Sequence, residues 1–324
     1  MKGMRPEIFA TLMILLLCWV ALVVLDLAVS GIVRVVAGVP FRKVFVWGLL
    51  TLLIPPAAIL YGSTIERNTF IVKKIELTYS NLPEEFKGYR IVHISDIHAR
   101  SFEGREKSLQ RAVNKINSLS PDMIAFTGDL ITMTPDELDC ISAALSSLKA
   151  KDGIFSVLGN HDYSMYSDIS EEEKQKSLEK LIKKEGEMGW NLILNDNRII
   201  RRDNDSIAVI GVENTSPSRH FPSKGDLNKA SEGTEGMFRI LLSHDPMHWE
   251  AEILGKDYPL TLSGHTHAMQ VSFFGWSPSS LIFRHHKGLY TEGRQSLYVN
   301  KGLGETIFPA RIGARPEITL ITLK

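Results

Sequence analysis

Cysteine is nearly missing from this 324-residue chain, which carries only Cys18 and Cys140. The first lies in an apolar segment and the second in an expected helix, so neither a disulfide framework nor a thiolate zinc site is expected. Excess charge of either sign is also lacking, since 37 Lys and Arg balance 37 Asp and Glu for a formal net charge of +0. A nucleic-acid partner, which ordinarily leaves a basic excess, is therefore not expected. Internal repeats and low-complexity tracts are absent, which excludes solenoids and arrays. The hydrophobic share of 44% is ordinary for a chain that buries a core, and the length allows one large domain with additions.

Long apolar runs are concentrated at one end. From Ile8 to Val29 the chain is almost unbroken Leu, Val, Ile, Ala and Met, long enough at ~1.5 Å per residue to span a ~30 Å hydrocarbon layer. Asp26 is its one acidic residue, expected near the end of the span, where a carboxylate reaches the headgroups. Lys2 and Arg5 before the run and Ala28-Val29-Ser30 within it also suit a cleaved signal peptide, but the run is long for one, which favours an anchor. A second stretch, Val44 to Tyr61, contains Pro55-Pro56 and reads as a kinked second span. Residues 1–65 are thus expected to form a membrane hairpin, with residues 66–324 as the catalytic domain. Arg34, Arg42 and Lys43 lie between the runs, while Lys2, Arg5, Arg67, Lys73 and Lys74 flank them. That balance puts both termini and the catalytic domain in the cytoplasm.

After Gly62 the pattern becomes that of a folded α/β domain. Ile71 to Tyr79 alternates as a half-buried strand does, and from Arg90 onward apolar strands alternate with amphipathic helices at Glu106–Leu119 and Pro135–Leu148. A charged helix is expected between Ser170 and Gly186, with a solvated face. This alternation implies parallel strands with crossover helices.

Five of the apolar strands run straight into polar residues that make poor core material. They end in Ser95-Asp96-Ile97-His98, Gly128-Asp129, Gly159-Asn160-His161-Asp162, Ser243-His244 and Gly264-His265-Thr266-His267. In open α/β sheets ligands bind beyond the carboxyl ends of the strands, so the five endings are read as one metal-binding rim. In an extended segment residues two apart point the same way, so Asp96 and His98 would aim to one side, as would His265 and His267. Imidazoles, carboxylates and an amide oxygen make mixed N/O shells that suit Mn, Fe or Zn. Two such ions clamp a phosphoryl group and supply a nucleophile at neutral pH, so phosphate ester or anhydride hydrolysis is the chemistry this equipment serves.

The ordered set Asp96-x-His98, Gly128-Asp129, Gly159-Asn160-His161-Asp162, His244 and Gly264-His265-Thr266-His267 resembles the motifs of the calcineurin-like metallophosphoesterase family. Each is weak alone, and all five in order are strong. The resemblance covers roughly Arg90 to Lys324 and implies a two-layer β sandwich flanked by helices. It also implies that Asp96, His98 and His267 hold one metal and Asn160, His244 and His265 the other, with Asp129 bridging. His161 would contact phosphate and assist the leaving oxygen, and Asp162 would orient the catalytic group. Gly128-Asp129 is followed by Leu130-Ile131-Thr132 rather than the Asp-Arg-Gly of the family's protein phosphatases, which lowers the phosphoprotein reading. The tail from Lys301 to Ile318 resembles the membrane-anchored YkuE/YaeI-type branch of bacteria, which implies an inner-membrane location. Some relatives there cleave the pyrophosphate of UDP-2,3-diacylglucosamine. Where that branch has Gly-Gly-Gln after the last histidine, this chain has Ala268-Met269-Gln270.

The expected function is therefore a membrane-anchored dinuclear phosphoesterase acting on phosphodiester or pyrophosphate bonds of a lipid-linked substrate. The alternatives are a general small-molecule phosphodiesterase and a non-catalytic scaffold with structural metals. His93 is expected to be a core residue, His248 to pack beside Trp249, and His285-His286 to lie in a solvated basic loop. Arg311 and Arg315 suit either phosphate binding or surface ion pairs. Phe273-Phe274-Gly275-Trp276 with Leu281-Ile282-Phe283 reads as an apolar wall near the metals, for an acyl chain or the bilayer.

Overall fold

The computed structural model describes residues 6–324, so Lys2 and Arg5 lie outside the described residues. Helix α1 (Pro6–Ala37) is followed by a turn and then by α2 (Phe41–Gly48), a 3₁₀ stretch at Leu49–Leu53 and α3 (Ile54–Thr64). The stretches Glu7–Ala37 and Phe41–Asn68 are each long and apolar enough to cross a membrane. The second is broken where Pro55 and Pro56 lack the N–H groups that the carbonyls of Thr51 and Leu52 would otherwise receive. Thr51 O instead accepts from Ile54 N, and Leu52 O accepts from Trp19 Nε1 of the neighbouring helix at 2.9 Å. A freed carbonyl inside a bilayer needs such a partner.

Asp26 is placed differently from expectation. Because α1 continues to Ala37, Asp26 lies about three turns short of its end. Its carboxyl is buried against Gly48, where any Cβ would collide with it, and Ser30 Oγ donates to Oδ1 at 3.4 Å. The carboxyl thus sits in the seam of the hairpin rather than at the headgroups.

The rest of the chain forms two packed six-stranded sheets. The strands are β1 (Ile71–Leu77), β2 (Arg90–Ile94), β3 (Met123–Thr127), β4 (Gly153–Val157), β5 (Asn191–Leu192) and β6 (Asp196–Arg202). They continue with β7 (Asp205–Gly211), β8 (Phe238–Leu242), β9 (Leu260–Ser263), β10 (Gly288–Glu292), β11 (Gln295–Val299) and β12 (Glu317–Leu323). One sheet has the order β1-β12-β2-β3-β4-β5 and the other β10-β11-β9-β8-β7-β6. Strands β2 to β5 are mutually parallel, as are β7, β8, β9 and β11, while β12 runs antiparallel to β2. The sheets are therefore mixed, and the sandwich implied by the family resemblance is present.

Alternation along each strand assigns its two faces. Ile91, Val209, Ile240 and Leu262 enter the core between the sheets. Val92, Phe126 and Ile124 face outward to α4 (Glu106–Ser118), α5 (Ser142–Leu145) and α6 (Glu171–Glu187). Ala208, Ile210 and Leu241 pack on the other side against Trp249 and Ile253. The helix expected over Pro135–Leu148 is instead a 3₁₀ turn at Pro135–Cys140 followed by short α5, broken at Ile141. Glu137 explains the tightening, since its carboxylate accepts from the N–H groups of Thr132, Met133 and Thr134 at 2.7, 2.8 and 3.3 Å.

Helix α6 starts from a capping box between Ser170 and Glu173, which satisfies two free N–H groups. Its inner face buries Glu185, which lies 2.6 Å from Ser156 Oγ. Burial pushes the Glu185 carboxyl up to about 8. Folded protein then holds a proton there that the unfolded chain releases at ordinary carboxylate pH. The contribution is present at acid pH and lost as pH rises through that window towards about 8. Glu185→Gln is accordingly expected to match the parent Tm at pH ~5 and to exceed it by several degrees at pH ~9, measured by thermal unfolding. Equal shifts at both pH values would show that the carboxyl does not titrate in this window.

Candidate metal centre

The five polar endings sit on one rim because β2, β3 and β4 are parallel in one sheet and β8 and β9 are parallel in the other. Asp96, His98, Asp129, His265 and His267 all have left-handed backbones, with φ of 49, 45, 59, 72 and 50°. Such conformations cost of order 1–3 kcal/mol each and persist where the surroundings over-determine them. They also revise the extended geometry expected for Asp96/His98 and His265/His267. The turn at each residue sends His267 towards Asp96 and His98, and His265 towards His244 and Asn160.

Asp162 supplies much of the constraint. Its buried carboxylate accepts from the N–H groups of Asp129, Leu130 and Gly159 at 2.8 Å and of Ile131 at 3.1 Å. Burial and the nearby Asp129 charge push its pKa up to about 7, against the pull of the backbone donors. These bonds fix the loop that carries Asp129 and join it to the loop that carries His161. Gly159 and Gly264 are forced by close approach, since a Cβ on the first would strike Asp129 and on the second Ser95 and Asp96.

The side chains converge in two overlapping groups. In the first, His267 Nε2 lies 3.0 Å from His98 Nε2 and 3.3 Å from Asp96 Oδ1. In the second, His265 Nδ1 lies 2.9 Å from Asn160 Oδ1 and 3.2 Å from His244 Nε2. Asp129 Oδ2 stands between them, 3.6 Å from His98 Nε2 and 3.3 Å from His244 Nε2. Asp96/His98/His267, His98/Asp129/His161 and Asp129/His244/His265 each bring three ligand atoms within 4.8 Å of one another. Imidazole lone pairs this close repel unless a proton or a cation lies between them. The donor set therefore fits divalent metal ions with mixed N/O shells.

Electrostatics point the same way. Burial lowers His98 well below the usual histidine range and lowers His265, which keeps both rings neutral and able to ligate. Burial alone would raise Asp96 and Asp129, but the histidines around them outweigh it and hold both carboxyls low. Burial likewise opposes a charge on His244, yet Asp129 beside it raises its pKa to about 10. A proton and a cation therefore compete for His244 Nε2. Its Nδ1 donates to Thr127 O at 2.6 Å, which fixes the ring. His161 is held in the same way through Nδ1 to Thr132 O at 2.8 Å, and its backbone N–H donates to Asp129 Oδ1 at 2.9 Å.

Aromatic side chains form the surround: Phe283, part of the apolar wall expected from sequence, with Tyr166 and Phe221, which the motifs did not flag. Tyr166 lies 4.3 Å from the His161 ring centroid, and Phe221 and Phe283 lie 4.9 and 5.6 Å from that of His265. Loop residues such as Tyr166 and Phe221 carry no short-range sequence signal. Arg311 is fully buried and donates to the carbonyls of Lys301, Gly302, Gly304 and Ala314, with Nη2 3.4 Å from His267 Nδ1. It braces the loop behind the centre and is not a surface ion-pair residue, whereas Arg315 does pair with Glu66, at 3.2 Å. His93 is a core residue bonded to Thr127, and His248 is held between Ser243 and Glu252. His285 departs from the solvated loop expected of it, being buried edge-on against Trp249.

Residues 89–269, which contain all nine candidate site residues, match the family model described as calcineurin-like phosphoesterase. The chain is 33% identical over 299 residues to the transmembrane protein with metallophosphoesterase domain of Danio rerio, covering 89% of this chain and 64% of that protein. It thus spans less than two thirds of that relative's length. It is 30% identical over 275 residues to the uncharacterized metallophosphoesterase YkuE of Bacillus subtilis, covering 82% of this chain and 89% of that protein. It is 28% identical over 272 residues to the UDP-2,3-diacylglucosamine pyrophosphatase LpxG of Chlamydia muridarum, covering 69% and 81%.

Asp162→Ala strands four buried N–H groups and is expected to cost about 3 kcal/mol or more in urea unfolding. A loss below about 1 kcal/mol would show that water replaces the carboxylate.

Proposed function

The chain belongs to the calcineurin-like phosphoesterase family, and on that premise we propose that it uses two divalent metals to hydrolyse phosphodiester or pyrophosphate bonds of a lipid-linked substrate, with UDP-2,3-diacylglucosamine the leading candidate. The observation that carries the dinuclear reading is Asp129 Oδ2 shared between His98 and His244. Asp96, His98 and His267 would hold one ion and Asn160, His244 and His265 the other, with Asp129 bridging. Mn, Fe and Zn all suit this donor set. Bound in this way, the ions would polarise the phosphoryl group and provide the nucleophile. His161, clamped through Nδ1, keeps Nε2 free to contact phosphate and pass a proton to the leaving oxygen. Asp162 acts one step removed, by fixing the Asp129 loop.

The lipid-linked reading rests on three supports. A relative carries the name of a pyrophosphatase of a diacylated sugar nucleotide. The hairpin holds the domain at a membrane, and residues 1–65 are assigned as anchor and 66–324 as catalytic domain. That boundary falls where Glu66 becomes buried and accepts from Gly313 N at 2.8 Å. Finally, a cavity of about 540 Å³ between the hairpin base and the metal-centre loops is lined by Glu7, Arg67, Arg100, Glu305 and Thr132. Thr132 is also the residue whose carbonyl holds His161. The charge balance around the spans supports a cytoplasmic catalytic domain, and the similarity to YkuE of Bacillus subtilis supports a bacterial inner membrane.

Purified full-length protein supplied with Mn, Fe or Zn is expected to cleave UDP-2,3-diacylglucosamine in preference to an aryl phosphodiester, measured by product release. Equal turnover of both would replace the lipid-linked reading with a general phosphodiesterase. His161→Ala is expected to keep its metal while kcat falls by about 10²-fold or more. Unchanged kcat would remove His161 from the reaction.

A further inference from the structure

Outside the membrane hairpin of residues 6–65, the large apolar side chains most exposed to solvent gather on two neighbouring loops: Phe273, Phe274, Trp276, Leu281 and Ile282 on one, Ile307 on the other. Phe274 is fully exposed, and Leu281, Ile282 and Ile307 are 77%, 65% and 68% exposed. A monomeric surface rarely carries such a patch without a use for it.

The backbone makes the exposure deliberate. Phe273 and Trp276 exchange N–H···O bonds of 2.8 and 2.9 Å, closing a two-residue hairpin whose tip is Phe274-Gly275 at φ 48 and 87°. Tips of this type favour Asn-Gly, and a bulky residue there is strained. Ile307 and the half-exposed Met269 also have left-handed backbones, with φ of 44 and 46°. Three apolar side chains are thus held outward at a conformational cost that no packing recovers.

The position of the loops identifies what covers them. Ser272 N donates to Ile312 O at 2.8 Å, and Val271 bridges to Ile312 and Gly313. That segment in turn lies on the end of α3, with Arg311 N donating to Gly62 O at 3.4 Å and Gly313 N to Glu66. Arg67, just beyond α3, donates to Pro309 O at 3.0 Å, which places the Ile307 loop beside the same helix end. Both loops are therefore rooted about one or two chain spacings, ~5 Å each, from the end of α3, at the foot of the second span. A cation lies along the hairpin, where Lys287 Nζ donates to Gly275 O at 2.7 Å and to Ser272 Oγ at 3.0 Å. Aromatic side chains flanked by cations are what the headgroup region of a bilayer accepts.

We propose that the 273–276 hairpin, the Leu281-Ile282 turn and Ile307 form a platform that inserts into the bilayer interface, seating the mouth of the metal centre against the lipid. Phe283, next to Ile282 in the chain, lies against His265 and links this platform to the metal centre. Substrate then passes from the leaflet to the metals along an apolar surface without crossing bulk water. This deepens the lipid-linked reading and rests on it only for that catalytic consequence.

The test measures depth rather than turnover. In a Cys18→Ser, Cys140→Ser background, nitroxide labels are placed at Phe274→Cys, at Leu281→Cys and at Asp203→Cys, the last on the β6–β7 turn at the opposite end of the domain. Full-length protein is reconstituted in nanodiscs of phosphatidylcholine with phosphatidylglycerol. Accessibility to a water-soluble nickel chelate is expected to be on the order of fivefold lower at 274 and 281 than at 203, as for side chains 5–10 Å into the interface. Accessibility at both positions equal to that at 203 overturns the platform, even if lipid-linked turnover is found. Leu281→Cys keeps the test decisive should the label disturb the hairpin, because it lies outside the strained tip.

Discussion

The convergence of four main-chain N–H groups on the buried Asp162 carboxylate is the constraint on which the rest of the centre depends. It ties the loop after β3 to the loop after β4. Asp129 is thereby fixed in its left-handed turn, with Oδ1 on the His161 N–H and Oδ2 between the two histidine groups. At the common rim the two sheets then meet through His244, which donates to Thr127 O and faces Asp129 Oδ2. The cost of several strained turns is met by this rigid scaffold.

The same economy operates in the membrane hairpin. Two prolines free two carbonyls, one satisfied within the helix and the other by Trp19 of the partner helix. Gly48 leaves room for the Asp26 carboxyl in the seam. In both regions a polar group out of reach of water is matched to a specific neighbour, and a residue without a side chain makes the approach possible.

Much of this was legible in the residues. Apolar runs that end in Asp, His and Gly-Asn-His marked the rim, because those residue types have no use in a core. The convergence in space of Asp96, His98, Asp129, Asn160, His244, His265 and His267 follows the five strand ends. Less was legible where long-range partners decide. The extended geometry assumed for His265 and His267 could not anticipate turns imposed by Gly264 packing on Ser95. The bracing role of Asp162 was not legible, since three of its four backbone partners lie about 30 positions away. Arg311 suited either a phosphate or a surface ion pair in sequence, because little nearby in the chain announces the ring of carbonyls that buries it. The Pro135 segment met its helix-start signal but gave up its regularity to Glu137, which serves the neighbouring loop instead.

The Glu66 clamp has a kinetic meaning. Its carboxylate joins the last turn beyond α3 to Gly313 and Arg315, so the catalytic body is not tethered by a slack leash but fixed in one attitude to the bilayer. An enzyme held in that attitude searches in two dimensions. On the lipid-linked substrate proposed above, its encounter frequency would follow the mole fraction of that substrate in the leaflet rather than the bulk concentration, and diluting the leaflet with inert lipid would slow it even with the total amount of substrate unchanged.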